Sequence, residues 1–268
     1  MIATFVATTV AVLSLQFALA DRPAAPEMPK AKKVTVVELF TSEGCSSCPP
    51  ADRVLSELIA QHAKAQDLIA LSFHVDYWNN LGWSDPWSTA EATTRQAAYR
   101  DSLGDRSLYT PEIVVGGAVG FVGSDRTRAE QEVASDQLRA DSVVVALSAA
   151  AKAAPKPAIA ATIKLTPDAA EAKKTQKWTV LVALFERDLT SNVRRGENAG
   201  QKLTHDNVVR VFKMAELTAG VDTVVELPLP EGFRPDHGEV IALVQAAPGK
   251  PVIGAARCEA PAALPASK

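Results

Sequence analysis

Two hydrophobic patterns alternate through the first half of the chain. Val34–Phe40 (VTVVELF) and Leu68–Asp76 (LIALSFHVD) are short runs dominated by β-branched and apolar residues, the pattern of buried strands. Between them, Val54, Leu55, Leu58 and Ile59 recur at helical spacing over Ala51–Ala60, with Asp52, Arg53 and Glu57 on the other face. Pro49-Pro50 mark the start of that helix, where a missing N–H is harmless. A further helix is predicted over Thr89–Leu103, stopped by Gly104. Glu112–Val115 is the third strand, Gly116-Gly117 a two-residue hairpin turn, and Ala118–Val122 the fourth strand. Ser124 or Asp125 caps a helix running to about Leu138.

The second half changes character. Short β-rich runs recur at Val143–Leu147, Ile159–Leu165, Trp178–Phe185, Val208–Phe212, Val221–Leu227, Val240–Gln245 and Val252–Ala256, and helical periodicity is scarce. This predicts a mostly antiparallel, β-sandwich-like domain over 141–258, following an α/β domain over 34–140. The alanine- and proline-rich stretch Ser148–Pro157 reads as a loop, and 259–268 as a disordered tail.

The N-terminus differs again. Ile2–Ala20 carries no charge and closes on Ala18-Leu19-Ala20, so residues 1–20 are expected to be a signal peptide. The rival is a retained anchor, since a stretch of about 19 largely apolar residues can span a bilayer. Residues 21–33 read as a flexible tether, and no later segment is apolar enough for stable membrane insertion. The mature chain is therefore expected to be periplasmic or secreted, where disulfides persist. With 47% apolar and 22% charged residues in 268, the composition is globular. A net charge of −3 without a basic run argues against nucleic acid as a partner.

The candidate chemistry is concentrated in EGCSSCPP, residues 43–50, where Cys45 and Cys48 stand one helical turn apart. That spacing suits a disulfide. The positive end of the helix favours a thiolate, lowering a thiol pKa from about 8.5. Cys45, preceding the helix, is expected to be the more exposed attacking sulfur and Cys48 the resolving one. Glu43 and Asp52 flank the pair, and Glu43 opposes thiolate formation.

VELFTSEGCSSCPPADRVLSEL, LSFHVDYWNNLGWSDPW, YTPEIVVGG and VGSDR resemble the secreted thioredoxin-like family catalogued as domain of unknown function 1223. The resemblance continues into Arg195–Asn198 and Leu203–Arg210. It implies a thioredoxin-like first domain, a cis Pro111 facing the thiol pair, and Thr110 as a supplier of backbone groups to a bound polypeptide.

His74 and Asp76, at the end of the second strand, fall on the same sheet edge as the cysteines. They are candidates for a proton relay. Alternatively Cys45, Cys48 and His74 form a copper or zinc site. Tyr77, Trp78, Trp83 and Trp87 are read first as packing and second as a grip for apolar partners. Arg194–Asn198 and His205–Asn207 are expected to be solvated loops, with docking onto the first domain as the alternative. His62 and His237 are given no catalytic role, and Cys258 is read as a buried small hydrophobe. The leading expectation is an exported thiol–disulfide oxidoreductase that acts on thiol- or disulfide-bearing proteins without a cofactor. The alternatives are a metal chaperone and a non-catalytic interaction protein with a structural disulfide.

Overall fold

In a computed structural model the described residues are 33–153, 156–174 and 177–262. The expected signal peptide, all of the tether but Lys33, and most of the C-terminal tail lie outside them. The first half runs β1 (Thr35–Thr41), α1 (Pro49–His62), β2 (Leu68–His74), α2 (Ala90–Leu103), β3 (Glu112–Val115), β4 (Val119–Val122), α3 (Arg126–Gln137). Capping follows the chemistry of the sequence. Thr89 accepts from the Ala92 N–H at the head of α2, Asp125 does so from Arg128 at α3, and Gly104 closes α2 in the left-handed region. The β3–β4 turn is one residue longer than expected: Val115 pairs with Val119, so Ala118 joins Gly116 and Gly117 in the loop.

The second half contributes β5 (Val143–Lys152), β6 (Ala158–Pro167), a four-residue α4 (Glu171–Lys174), β7 (Trp178–Glu186), β8 (Leu189–Asn192), β9 (Lys202–His205), β10 (Val208–Leu217), β11 (Thr223–Pro228), β12 (Gly238–Gln245) and β13 (Val252–Glu259). Most of these strands lie face to face in two layers, but the layers are not closed off from the first half. One eight-stranded mixed sheet runs β13-β12-β7-β10-β2-β1-β3-β4, joining both halves of the chain. Strands β1 and β2 are parallel, β10 meets β2 in parallel at Val208 and Ser72, and the remaining pairings are antiparallel. Asn207 makes the junction. Its backbone oxygen accepts from Ser72 N–H at 2.9 Å, and its side-chain amide donates to the Ala70 carbonyl at 2.8 Å.

A second sheet, β11-β6-β5, packs Ile159, Ala161, Ile163 and Leu165 against Val180, Val182 and Leu184 of β7. The sandwich-like element is therefore this sheet laid on the large one. Ser148–Lys152, expected as loop, is strand, because Ser148 to Lys152 pair in register with Thr162 to Ala158. Alternation sorts the rest of the core. Val37 and Leu39 face Val54, Leu55 and Leu58 of α1, while Val36 and Phe40 join Phe73, Tyr99, Leu181 and Phe185.

The buried face of α2 is polar: Arg95, Gln96 and Tyr99. Arg95 grips the Glu38 carboxylate through Nε and, at 2.8 Å, Nη2, and Tyr99 donates to the same carboxylate at 2.5 Å. Gln245 of β12 reaches both Arg95 and Tyr99, tying the two halves together a second time. Among the described residues no helix is long and apolar enough to cross a membrane.

Candidate functional site

The turn after β1 carries the cysteines to the head of α1. Cys48 is the N-cap, with no side-chain cap, and its carbonyl accepts from Ala51 and Asp52. Cys45 and Cys48 are joined in a disulfide, with Cα atoms 5.4 Å apart. The peptide bond between Thr110 and Pro111 is cis, and the Thr110 carbonyl lies 3.8 Å from Cys45 Sγ. Ser47 Oγ stands 3.3 Å from the same sulfur. Thus Cys45, Cys48, Thr110 and Pro111 converge.

The expected exposure of Cys45 is corrected. Both cysteines are 0% exposed, although Ser46 and Ser47 between them are open to solvent. The turn that carries them is held from both halves of the chain. Trp78 donates its indole N–H to Thr110 Oγ1 at 2.8 Å, and the Asn198 amide donates to the carbonyls of Glu43 (2.8 Å) and Cys45 (3.0 Å). Glu197 accepts from the Ser46 N–H at 3.0 Å and hydroxyl at 2.7 Å. The Arg194–Asn198 loop is therefore docked, not free in solvent.

Around the turn lies a cluster of ionisable side chains that neither half contains alone. Glu43 accepts from Trp83 Nε1 at 2.7 Å and meets His205 Nε2 at 3.1 Å. His205 Nδ1 lies 3.8 Å from Asp52, whose other oxygen accepts from Thr41 at 2.9 Å. The His205 ring stands edge-on to His74, with centroids 4.7 Å apart. His74 Nδ1 is 2.7 Å from Asp85, which also accepts from the backbone N–H groups of Glu43 and Trp87. His74 Nε2 and His205 Nδ1 are buried without hydrogen-bond partners among the described residues.

Burial opposes charge on His74, but Asp85, Asp52 and Glu43 more than offset it, raising its pKa above the usual value. Burial likewise pushes against ionised Asp85, yet His74 and two backbone donors hold its pKa below the usual carboxylate range. Desolvation dominates at Asp52 and raises it, despite the pull of His205 and His74.

Asp76 is not in this cluster. It accepts from Thr93 of α2 at 2.6 Å and anchors the following loop there. The tryptophans are packed: Trp78 on Thr110, Trp83 on Glu43, and Trp87 with Arg210 4.9 Å from its ring. Among the described residues no three His, Cys, Asp or Glu side chains are arranged to hold a metal. The sulfurs are bonded to each other and Asp85 takes His74 Nδ1. His62 pairs with Asp67 and His237 with Asp188, away from the turn. Cys258 is free and half-buried, packed beside the core between the two sheets.

Sequence reasoning did not assign Asp85, Glu197, Asn198 or His205 to the site. For the last three the one available signal was the shared resemblance of Arg195–Asn198 and Leu203–Arg210 to the same family as the cysteine turn.

Fold and site together define a mixed α/β protein with a Cys-x-x-Cys disulfide at the head of a helix. The model of the DUF1223 family, described as protein of unknown function, matches residues 36–245, and the chain belongs to that family. No curated protein matches it. The crystal structure of a protein from Agrobacterium tumefaciens is similar at 27% identity and a TM-score of 0.61, covering 88% of this chain and 99% of that one. HBP35 of Porphyromonas gingivalis is similar in fold, at 16% identity and a TM-score of 0.62, covering 88% of this chain and 78% of that one.

Proposed function

We propose that this chain is an exported thiol–disulfide oxidoreductase of thioredoxin-like build, exchanging Cys45–Cys48 with the cysteines of partner proteins. The observation that carries this reading is the approach of the Thr110 carbonyl to Cys45 Sγ at 3.8 Å. It sets a backbone acceptor beside the sulfur that a bound polypeptide would attack or be attacked by. The order β2-β1-β3-β4, with the cysteines following β1, supports the thioredoxin-like part of the reading. Export rests on the first twenty residues of the sequence.

In the reducing direction, the Cys45 thiolate bonds to one sulfur of a partner disulfide, and the other partner sulfur leaves as a thiolate and takes a proton. Cys48, deprotonated, then attacks Cys45 Sγ, releasing the second partner sulfur and restoring the Cys45–Cys48 bond. Two electrons pass to the partner. No cofactor enters the exchange. The helix head favours the attacking thiolate, and the Glu43 carboxylate is occupied by Trp83 and His205.

The test is a Cys48→Ser variant, which blocks resolution. Incubated reduced with a disulfide-bearing peptide, it should accumulate a mixed disulfide at Cys45, identified by mass. Absence of any adduct, with Cys45 shown to be reduced, rejects the reading. The burial of both sulfurs favours one rival, a static disulfide in an interaction protein, and that same absence is what the rival expects.

A further inference from the structure

Strands β8 and β9 pair only with each other and form a hairpin outside the eight-stranded sheet. Its tip, residues 193–201, holds its own shape: Gly200 N–H donates to the Val193 carbonyl at 2.8 Å and Gln201 N–H to Asn198 at 3.1 Å. This self-contained tip is what reaches across to the cysteine turn. We infer that it is a gate over the disulfide, latched by Glu197 and Asn198, that admits thiols of a bound protein partner in preference to small free thiols. The selectivity rests on the oxidoreductase reading given above; the gate itself is tested separately.

Three contacts seat the tip. Glu197 receives both hydrogen bonds of Ser46 at the surface. Asn198, buried, bridges the carbonyls of Glu43 and Cys45. Gly196, at φ +78°, lies so close to the aromatic loop that an added Cβ would fall 3.0 Å from Trp83 Cβ and 3.4 Å from Trp83 N. The result is an unusual division: Ser46 and Ser47 are exposed while the sulfurs on either side of them are sealed.

Thiol exchange needs an incoming sulfur in contact with Cys45 Sγ, so the cover must move first. What holds it is the packing of Gly196 on Trp83, the two Asn198 bonds and the Glu197 pair in solvent, and each hydrogen bond contributes little net stability. Opening is thus a local event of modest cost. A small thiol gains nothing from the displaced tip and waits for spontaneous opening. A protein that binds the displaced arrangement shifts the population toward it.

The experiment follows reduction of the oxidised full chain by excess dithiothreitol, quenched by alkylation and read by mass. One dithiothreitol sulfur bonds to Cys45 as the Cys45–Cys48 bond breaks, and Cys48 leaves as a thiolate and takes a proton. The second dithiothreitol thiolate then attacks the linked sulfur, releasing Cys45 and closing the cyclic disulfide. Two electrons reach the protein and dithiothreitol is oxidised. Glu197→Ala removes the exposed contacts with Ser46, and Gly196→Ala, at a left-handed φ, wedges the tip from Trp83. Circular dichroism selects the folded variants.

The gate predicts slow reduction of the natural chain and acceleration of about tenfold in each variant, the effect of losing latch contacts of ordinary strength. Equal rates in the natural chain and the folded variants overturn it, as does failure of every variant to react. Equilibration with a glutathione buffer separates the two ideas. Faster variants whose disulfide nonetheless stays wholly oxidised in that buffer keep the gate and overturn the oxidoreductase reading.

Discussion

His205 and Glu43, 162 positions apart in the chain, meet at 3.1 Å beside the cysteine turn, both almost wholly buried. The contact links the β9 end of the hairpin to the residue two before Cys45, so the cysteine turn is built from both halves of the molecule. Removing one partner of a buried pair strands the other. His205→Ala should destabilise the protein by roughly 3–5 kcal/mol, measured by urea unfolding at pH 7. A loss well under about 1 kcal/mol would mean that Trp83 alone satisfies Glu43.

The His74–Asp85 pair sets a pH dependence whose sign follows from the two shifts. His74 is raised above 6.5, so its contribution is complete below that value and is lost as pH rises through the raised one. Asp85 is lowered below 3.8, so its contribution is present above that value and is lost as pH falls through the lowered one. Stability should therefore decline as pH rises from 6.5 through the raised His74 value, with Glu43, Asp52 and His205 as the other titratable neighbours of the pair. In Asp85→Asn that decline should flatten. Parallel pH profiles for the two proteins would remove Asp85 as the cause.

Glu112, next after Pro111, has its pKa pushed up to about 7, chiefly by burial, with Asp105 adding and Gln96 opposing. One of its oxygens has no partner among the described residues. A carboxyl raised in the fold subtracts stability as pH rises from its ordinary value of 4.5 through 7. Glu112→Gln should accordingly stabilise the protein at pH 8, by up to about 3 kcal/mol for a shift of this size. The gain should vanish near pH 4. An equal gain at both pH values would point to packing rather than charge.

Arg95 provides a contrast away from the cysteines. Arg95→Ala leaves the Glu38 carboxyl buried with Tyr99 as its remaining donor, and should cost roughly 3–5 kcal/mol in thermal or urea unfolding. A cost below about 1 kcal/mol would contradict a buried ion pair.

These residues also show why part of the molecule was legible in its sequence. Strands β1 to β4 and helices α1 to α3 announced themselves through periodicity and caps, because each depends on neighbours close in the chain. The cysteine turn was legible for the same reason. Helix α2 buries Arg95 and Gln96 where the pattern offered polar residues, since the partners that make this tolerable are distant: Glu38 for Arg95, 57 positions earlier, and Tyr109 and Glu112 for Gln96. The joining of β10 to β2 depends on Asn207, and the hold on the Glu43 and Cys45 carbonyls on Asn198. Neither follows from local propensity. Hairpin β8–β9 is composed of short, mixed-polarity strands, so no hydrophobic run marked it.

The central claim is that Cys45–Cys48 is a working redox pair, and its reduction potential tests that most directly. Equilibration of the full chain with defined glutathione mixtures should give a value above about −300 mV, outside the range of structural disulfides. A potential below that limit would contradict the account and leave the bond a staple.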